Sequence, residues 1–169
     1  SEKTAGRQWE ENMKKAVVYY SASGVTRNKA RELAAAEQAD LIELVPAELY
    51  TAADLDWTDK GSRSTREMND AKSRPALVRQ PDVSGYDEIF LGFPIWWGLA
   101  PRIVETFLDH ADLQKAAVVP FATSGGSGIA KAEKALIRAY PDIRFVPGRL
   151  LNGRIDPEQL KFWADAAGE

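Results

Sequence analysis

Five apolar runs, each set apart from the next by a helical pattern or a long polar stretch, constrain this chain more than any other feature. Residues 16–20, 41–45, 88–93, 116–121 and 143–146 are continuously or almost continuously apolar, with 150–151 as a candidate extension of the last run. Unbroken rather than alternating hydrophobicity marks strands covered on both faces, as in a parallel sheet. Thr26, Ala30, Leu33 and Ala34 fall at helical spacing and predict a helix over 24–37. Ile103, Val104, Phe107 and Leu108 give one apolar face after Pro101, which stands where a first helical residue belongs. Helices are also expected over 129–140 and from Asp156-Pro157 onward, the last with Leu160, Trp163, Ala164 and Ala167 inward. Pro46 and Pro94 are expected to stop strands two and three. Right-handed crossovers make such a chain an α/β doubly wound parallel sheet with helices on both faces, and five strands suggest the order 2-1-3-4-5. Ligands of such sheets sit beyond the carboxyl ends of the strands, at the switch point between strands one and three.

The length of 169 residues suits one domain with a substantial core. Residues 1–14 read as an N-terminal extension, with Met13 a candidate natural start, and 15–169 as a single domain. A formal net charge of −3 argues against a nucleic-acid partner, which would need a basic face. The absence of cysteine excludes disulfides and thiolate chemistry. No apolar stretch is long enough to span a membrane, and no signal peptide is visible, so the cytoplasm is the expected compartment. A signal already cleaved upstream of Ser1 would leave no trace. Residues 47–81 are polar and poorly periodic; a long connection with one short helix near 64–72 is expected, and a loop of that length suggests function or mobility.

Three loops carry the chemical signal, and the topology gathers all three at one edge. Ser21, Ala22, Ser23, Gly24, Val25 and Thr26 link strand one to the first helix. A hydroxyl-rich strand-to-helix turn with glycine is the geometry that binds a phosphate, through backbone N–H groups and the helix dipole. It contains no lysine, so it is not a Walker loop, and it suits a ligand that stays bound. The second loop is Pro94, Ile95, Trp96, Trp97 and Gly98, where adjacent indoles can form a flat wall for an aromatic ligand. The third, Thr123, Ser124, Gly125, Gly126, Ser127 and Gly128, lets backbone approach a ligand closely. A phosphate cradle, an aromatic wall and a polar glycine turn describe a mononucleotide with a large planar ring, and FMN fits best.

The same segments resemble the flavodoxins, and more closely the short flavodoxin-like flavoproteins, over residues 15–167. Weaker matches are residues 46–50 and Arg63, Glu67, Asp70, Arg74 and Pro75. The resemblance implies a flavodoxin-like fold, FMN binding and one- or two-electron chemistry through a non-covalent flavin. By position, Ser21, Ser23, Gly24, Val25 and Thr26 would hold the phosphate. Pro94, Ile95, Trp96, Trp97 and Gly98 would line one side of the ring, and Thr123, Ser124, Gly125 and Gly126 would meet its pyrimidine edge or other side. The family usually has asparagine where Val25 stands, which implies weaker binding. Arginines at 63, 66 and 74 put docking to a basic redox partner in doubt. The segment that splits strand five in longer flavodoxins is missing. An acidic, aromatic site beside an uncompensated phosphate pushes towards a low flavin potential.

Plainer readings stand beside these. Residues 21–26 could be an ordinary turn with a serine cap, and one of the two tryptophans is expected to belong to the core, since neighbours in a turn rarely face the same way. His110, at the end of a helix, suits a dipole partner better than a catalytic or metal role. Asp54, Asp56 and Asp59 lack the glycine and distal glutamate of a calcium loop. Arg63, Arg66 and Arg74 are expected to face solvent or pair with Glu67 and Asp70. The leading function is an electron carrier serving a redox partner protein or a small acceptor. The alternatives are an FMN-dependent NAD(P)H or quinone-type oxidoreductase, with contacts from Tyr50, Trp57 or Arg63, and a non-redox binding protein of the same fold. Long loops and Trp9 allow a homodimer.

Overall fold

The computed structural model describes residues 13–168. The extension expected over 1–14, Trp9 included, therefore lies outside the described residues except for Met13 and Lys14. The chain runs β1 (Lys15–Tyr19), α1 (Val25–Glu37), β2 (Asp40–Glu43), α2 (Arg63–Met68), β3 (Glu88–Pro94), α3 (Arg102–His110), β4 (Ala117–Thr123), α4 (Ala130–Ala139), β5 (Arg144–Phe145), β6 (Arg149–Leu150) and α5 (Pro157–Ala167). The strands are parallel in the order β2-β1-β3-β4-β5, and β6 pairs with β4 beyond β5. This is the flavodoxin-like topology expected from the apolar runs.

Alternate residues of the central strands serve opposite faces, because side chains in a strand alternate. Val18, Ile89, Leu91, Phe93 and Val118 meet Ile103, Val104, Phe107 of α3 and Leu136 of α4 on one face. Val17, Tyr19, Phe90, Val119 and Phe121 meet Ala30 and Leu33 of α1 and Leu160 and Ala164 of α5 on the other. Both layers must be apolar, which is why the strands read as unbroken runs. Each fully buried aliphatic or aromatic side chain contributes about 1.5–3 kcal/mol. Asp156 caps α5 by accepting from the Glu158 N–H at 2.8 Å, with Pro157 in the first turn.

The fifth position of the sheet is split, and the reason lies in the neighbouring strand. Pro120 sits in the middle of β4, opposite Leu91 of β3. Its missing N–H faces the outer side, between β5, which pairs with Ala117 and Val118, and β6, which pairs with Phe121 and Ala122. A proline there removes a ladder donor. The outer chain leaves the ladder over Pro147 and Gly148 and passes close to β4 there, so that a Cβ on Gly148 would lie 2.0 Å from the Pro120 carbonyl oxygen. Strand five is therefore interrupted by two prolines and a glycine, not by an inserted segment.

Other boundaries shift by one to four residues. Pro94 is the last residue of β3 rather than its stop, and Thr123 closes β4 rather than opening the turn. The short helix spans Arg63–Met68, shorter than the expected 64–72. The connection around it is tied down. Arg102, mostly buried, donates to Glu105 at 2.7 Å and to the carbonyls of Glu67 and Met68. Arg74 pairs with Asp109 at 2.7 Å and with Glu105 at 3.3 Å, not with Asp70. Arg63 pairs with Glu67 at 2.9 Å as expected, and Arg66 is exposed.

Candidate functional site

The three loops meet at the carboxyl edge of β1, β3 and β4. In the first, Gly24 takes φ +96°, a left-handed conformation that costs an L-residue strain. This bend turns the chain into α1 with no side chain capping the helix and no acid in its first turn. Unfilled N–H groups at a helix start are an anion site in waiting. The Ser21 hydroxyl accepts from the Gly24 N–H at 3.0 Å, which leaves its own hydrogen for an outside acceptor. The plainer reading, a serine cap on the helix, does not describe the turn, because Gly24 occupies the cap position. Ser23 is exposed, and Val25 is 55% exposed beside it. Thr26 points inward and shares a 2.8 Å hydrogen bond with the buried Thr123 hydroxyl, which fastens the start of α1 to the end of β4.

The second loop is a tight hairpin. Trp96 and Leu99 exchange backbone hydrogen bonds of 2.9 and 3.0 Å around Trp97 and Gly98, whose φ angles are +50° and +79°. Positive φ at both central residues is the geometry of a two-residue hairpin turn. The two indoles separate as the sequence suggested. Trp96 packs edge-on against Tyr20 at 5.8 Å and Tyr50 at 5.6 Å and joins the core. Trp97 is 46% exposed and stands as a wall between two depressions. One, of about 280 Å³, is lined by Leu55, Trp57, Ser64, Ile95, Trp96 and Trp97. The other, of about 490 Å³, lies between the second and third loops and is lined by Trp97, Gly98, Ser127, Gly128, Ala130 and Lys131. Pro94 and Ile95 are half-buried, and the Ile95 N–H donates to the Thr123 carbonyl at 2.9 Å.

The third loop is held from outside. Asn152, just past β6, accepts from the Ser124 N–H at 2.8 Å and donates to the Ser124 carbonyl at 2.9 Å. The Ser124 hydroxyl donates to the Ser127 carbonyl at 2.5 Å and accepts from the Gly126 N–H at 3.3 Å. Gly125 and Gly126 face open space, since a Cβ on either would meet no atom within 4 Å. Sequence reasoning did not single out Asn152 or Lys131. The signal for the first was an Asn-Gly pair after a strand, which marks a turn but not its target.

Beneath the wall lies a polar layer on aromatic rings. The Arg63 guanidinium stacks 3.8 Å over the Tyr50 ring, and the Tyr50 hydroxyl donates to Glu67. Burial and the bond to Glu67 push the Tyr50 phenol up. Burial does the same to Tyr20, whose buried hydroxyl has no hydrogen-bond partner among the described residues. Both phenols stay neutral at ordinary pH and are poor acids for catalysis. Of the contacts weighed for an enzyme, Trp57 is 75% exposed and lines the first depression, whereas Tyr50 and Arg63 stack on each other and do not line it. His110 is exposed at the end of α3, and among the described residues no group of acids, histidines or cysteines could hold a metal. Among them, too, no helix is long and apolar enough to cross a membrane.

A parallel sheet in this order, with an uncapped helix start at its switch point and two glycine-bearing loops beside it, defines the flavodoxin class of α/β protein. The chain belongs to the flavodoxin family, whose model matches residues 14–167. It is similar to a candidate flavoprotein from Bacteroides eggerthii DSM 20697, with 48% identity, a TM-score of 0.89, and 92% of this chain and 98% of that one covered. It is also similar to a candidate flavoprotein from Bacteroides uniformis ATCC 8492, with 51% identity, a TM-score of 0.86, and 89% and 97% covered. A flavoprotein in complex with FMN from Lactobacillus acidophilus NCFM shares the fold at 21% identity and a TM-score of 0.71, with 90% and 99% covered. No curated protein matches the chain.

Proposed function

We propose that this protein binds FMN at the carboxyl edge of its sheet and carries electrons through it. The observation that supports this most is the start of α1: a helix with no side-chain cap and no acid in its first turn, opened by the left-handed Gly24 and flanked by hydroxyls. That donor set is neutral and fits a phosphate monoester, and the open glycines at 125 and 126 leave room for a ring beside Trp97. The name of the FMN-bound Lactobacillus protein of the same fold supports the same ligand.

The protein's part is binding, orientation and tuning. The N–H groups of Val25 and Thr26 and the hydroxyls of Ser21 and Ser23 would hold the phosphate. Trp97 would form one wall of the ring site, with Pro94, Ile95 and Gly98 beside it. Trp96 supports that wall from the core through Tyr20 and Tyr50. Ser124, Gly125 and Gly126 would offer backbone to the ring's polar edge, in a loop that Asn152 keeps open. When bound, FMN supplies one- and two-electron redox chemistry. A redox partner protein or a small acceptor would take the electrons at the exposed side of Trp97. Titration calorimetry and visible spectra with FMN test the reading. A saturable site, a yellow complex and quenched flavin fluorescence are expected, and no heat with no spectral change would sink it.

A second reading, an FMN-dependent reductase of quinones or similar acceptors, draws support from the first depression. Trp57, Trp96 and Trp97 there make an apolar slot that a flat acceptor fits. Steady-state turnover with NAD(P)H and a quinone separates the two, since a carrier shows almost none.

A further inference from the structure

Among the described residues, the depression between the second and third loops is lined by a single cation, Lys131. Lys131 stands in the first turn of α4, where the helix dipole disfavours positive charge. Among the described residues it makes no ion pair, and the nearest acid on its helix, Glu133, is bonded instead to the Gly148 N–H at 3.1 Å. Residues two apart on a helix do not face each other in any case. Its side chain is exposed and lies over the Trp97–Gly98 turn. A Cβ placed on Gly98 would be 2.9 Å from its Cδ, 3.6 Å from its Cε and 3.4 Å from its Nζ. The ammonium therefore lines the same space as Trp97, Ser127 and Gly128. Neither the dipole nor a salt bridge accounts for this placement.

Resting on the FMN reading above, we propose that Lys131 is the residue that sets the flavin's reduction potential, by facing the ring with the one positive charge of this depression. Two electrons from dithionite or a reduced mediator dye and one proton from the solvent convert the oxidised ring to its singly anionic reduced form. No bond to the protein forms or breaks. A fixed cation within a few ångströms favours the side of that equilibrium with more negative charge. Reduced FMN is then bound relatively more tightly and the potential rises, against the low value that composition alone suggested. The direction suits acceptors of moderate potential.

Potentiometric titration of the reconstituted holoprotein tests this, with wild type, Lys131→Met, Lys131→Arg and Lys131→Glu compared at low and high salt. The ratio of reduced to oxidised FMN affinity should fall about tenfold in Lys131→Met, which is about 30 mV for a two-electron couple. Lys131→Glu should fall further and Lys131→Arg should stay near wild type. The differences should shrink as salt screens them. Thermal midpoints of the apoproteins should not move, because the side chain is exposed. Equal potentials in wild type, Lys131→Met and Lys131→Glu would overturn the role of Lys131 and leave FMN binding standing. Failure of wild type to bind FMN at all would remove the flavin reading and this one together.

Discussion

The two ends of the sheet solve opposite problems. At the carboxyl end the chain leaves groups unfilled: α1 begins without a cap, and Gly125 and Gly126 face open space. At the amino end charges are buried and crowded together. Lys15 at the start of β1 donates to Glu37 at 3.2 Å, and the Glu37 side chain is fully buried at the end of α1. Lys161 of α5 comes within 3.8 Å of the same carboxylate and 3.2 Å of Asp165. Glu88, at the start of β3, is buried beside Gly168, where a Cβ would lie 2.0 Å from its Oε2. Burial pushes Glu37 up to about 7 and moves Glu88 in the same direction, while Lys15 pulls both down. Open donors at one end can be completed by a ligand. Charges enclosed at the other end can only be completed by the fold. One edge is built for binding and the other for closure, and a substitution should disturb one property with little effect on the other.

The largest effect is expected from Lys15→Met. It leaves Glu37 without its closest cation, and breaking one partner of a buried pair costs about 3–5 kcal/mol. Urea denaturation at pH 8 should show most of that loss, and less at pH 5, where Glu37 takes up a proton. FMN affinity of the folded variant should not change. A large loss of FMN affinity would break the separation of the two edges.

Next in size is the pH dependence of stability. Glu37 is raised from 4.5 to about 7 on folding, so the folded state holds its proton more tightly than the unfolded chain. Its contribution is complete below pH 4.5 and is lost as pH rises through about 7. The loss is about 3 kcal/mol at most on the linkage scale of 1.36 kcal/mol per unit. Glu88 acts with the same sign, whereas Asp165, held low mainly by its bonds to Glu37 and Lys161 against its own burial, acts the other way at more acid pH. Glu37→Gln cannot ionise, so its unfolding free energy should fall less between pH 5 and 8 than that of wild type. Parallel curves for the two proteins would sink the assignment.

Gly24→Val tests the other edge. A β-branched residue at φ +96° costs about 1–2 kcal/mol in the apoprotein. The displaced turn should weaken FMN at least tenfold in calorimetry, with no change in the pH profile of stability. The smallest effect should come from Val25→Asn, which places an amide on an exposed position beside the uncapped helix start. Surface changes of this kind shift stability by about 0.5 kcal/mol or less, while FMN affinity should rise several-fold. Weaker binding would show that the position does not face the phosphate.

Legibility in the sequence followed the kind of interaction involved. The strands and their order were readable because both faces of the sheet are covered, so each run is apolar from end to end. The helix faces of Ile103, Val104, Phe107 and Leu108, and of Leu160 and Ala164, were readable for the same reason. The loops were readable as chemistry but not as geometry. Nothing in the pair Trp96-Trp97 says which indole turns inward; that depends on Tyr20 and Tyr50, which arrive from β1 and from the connection after β2. The pairing of Arg74 with Asp109 was not legible, because the two are 35 residues apart and Asp109 stands on α3. The hold of Asn152 on Ser124 and the lie of Lys131 over Gly98 likewise join segments that sequence proximity does not connect.

Local pattern determined by itself that this chain would form a doubly wound parallel sheet, which segments would be its strands and helices, and that a hydroxyl-rich turn would start the first helix. These follow from side-chain periodicity and backbone preference, which act within a few residues. Only the tertiary structure decided that Pro120 splits strand five, that Trp97 is exposed while Trp96 packs on the core, and that the buried Glu37 and Glu88 lie beside Lys15 and the exposed Asp165. Charges and indoles are at home both in water and in the interior, so their types alone do not place them. Which neighbours the fold sets beside each one settles whether it is a wall, a ligand or a buried ion.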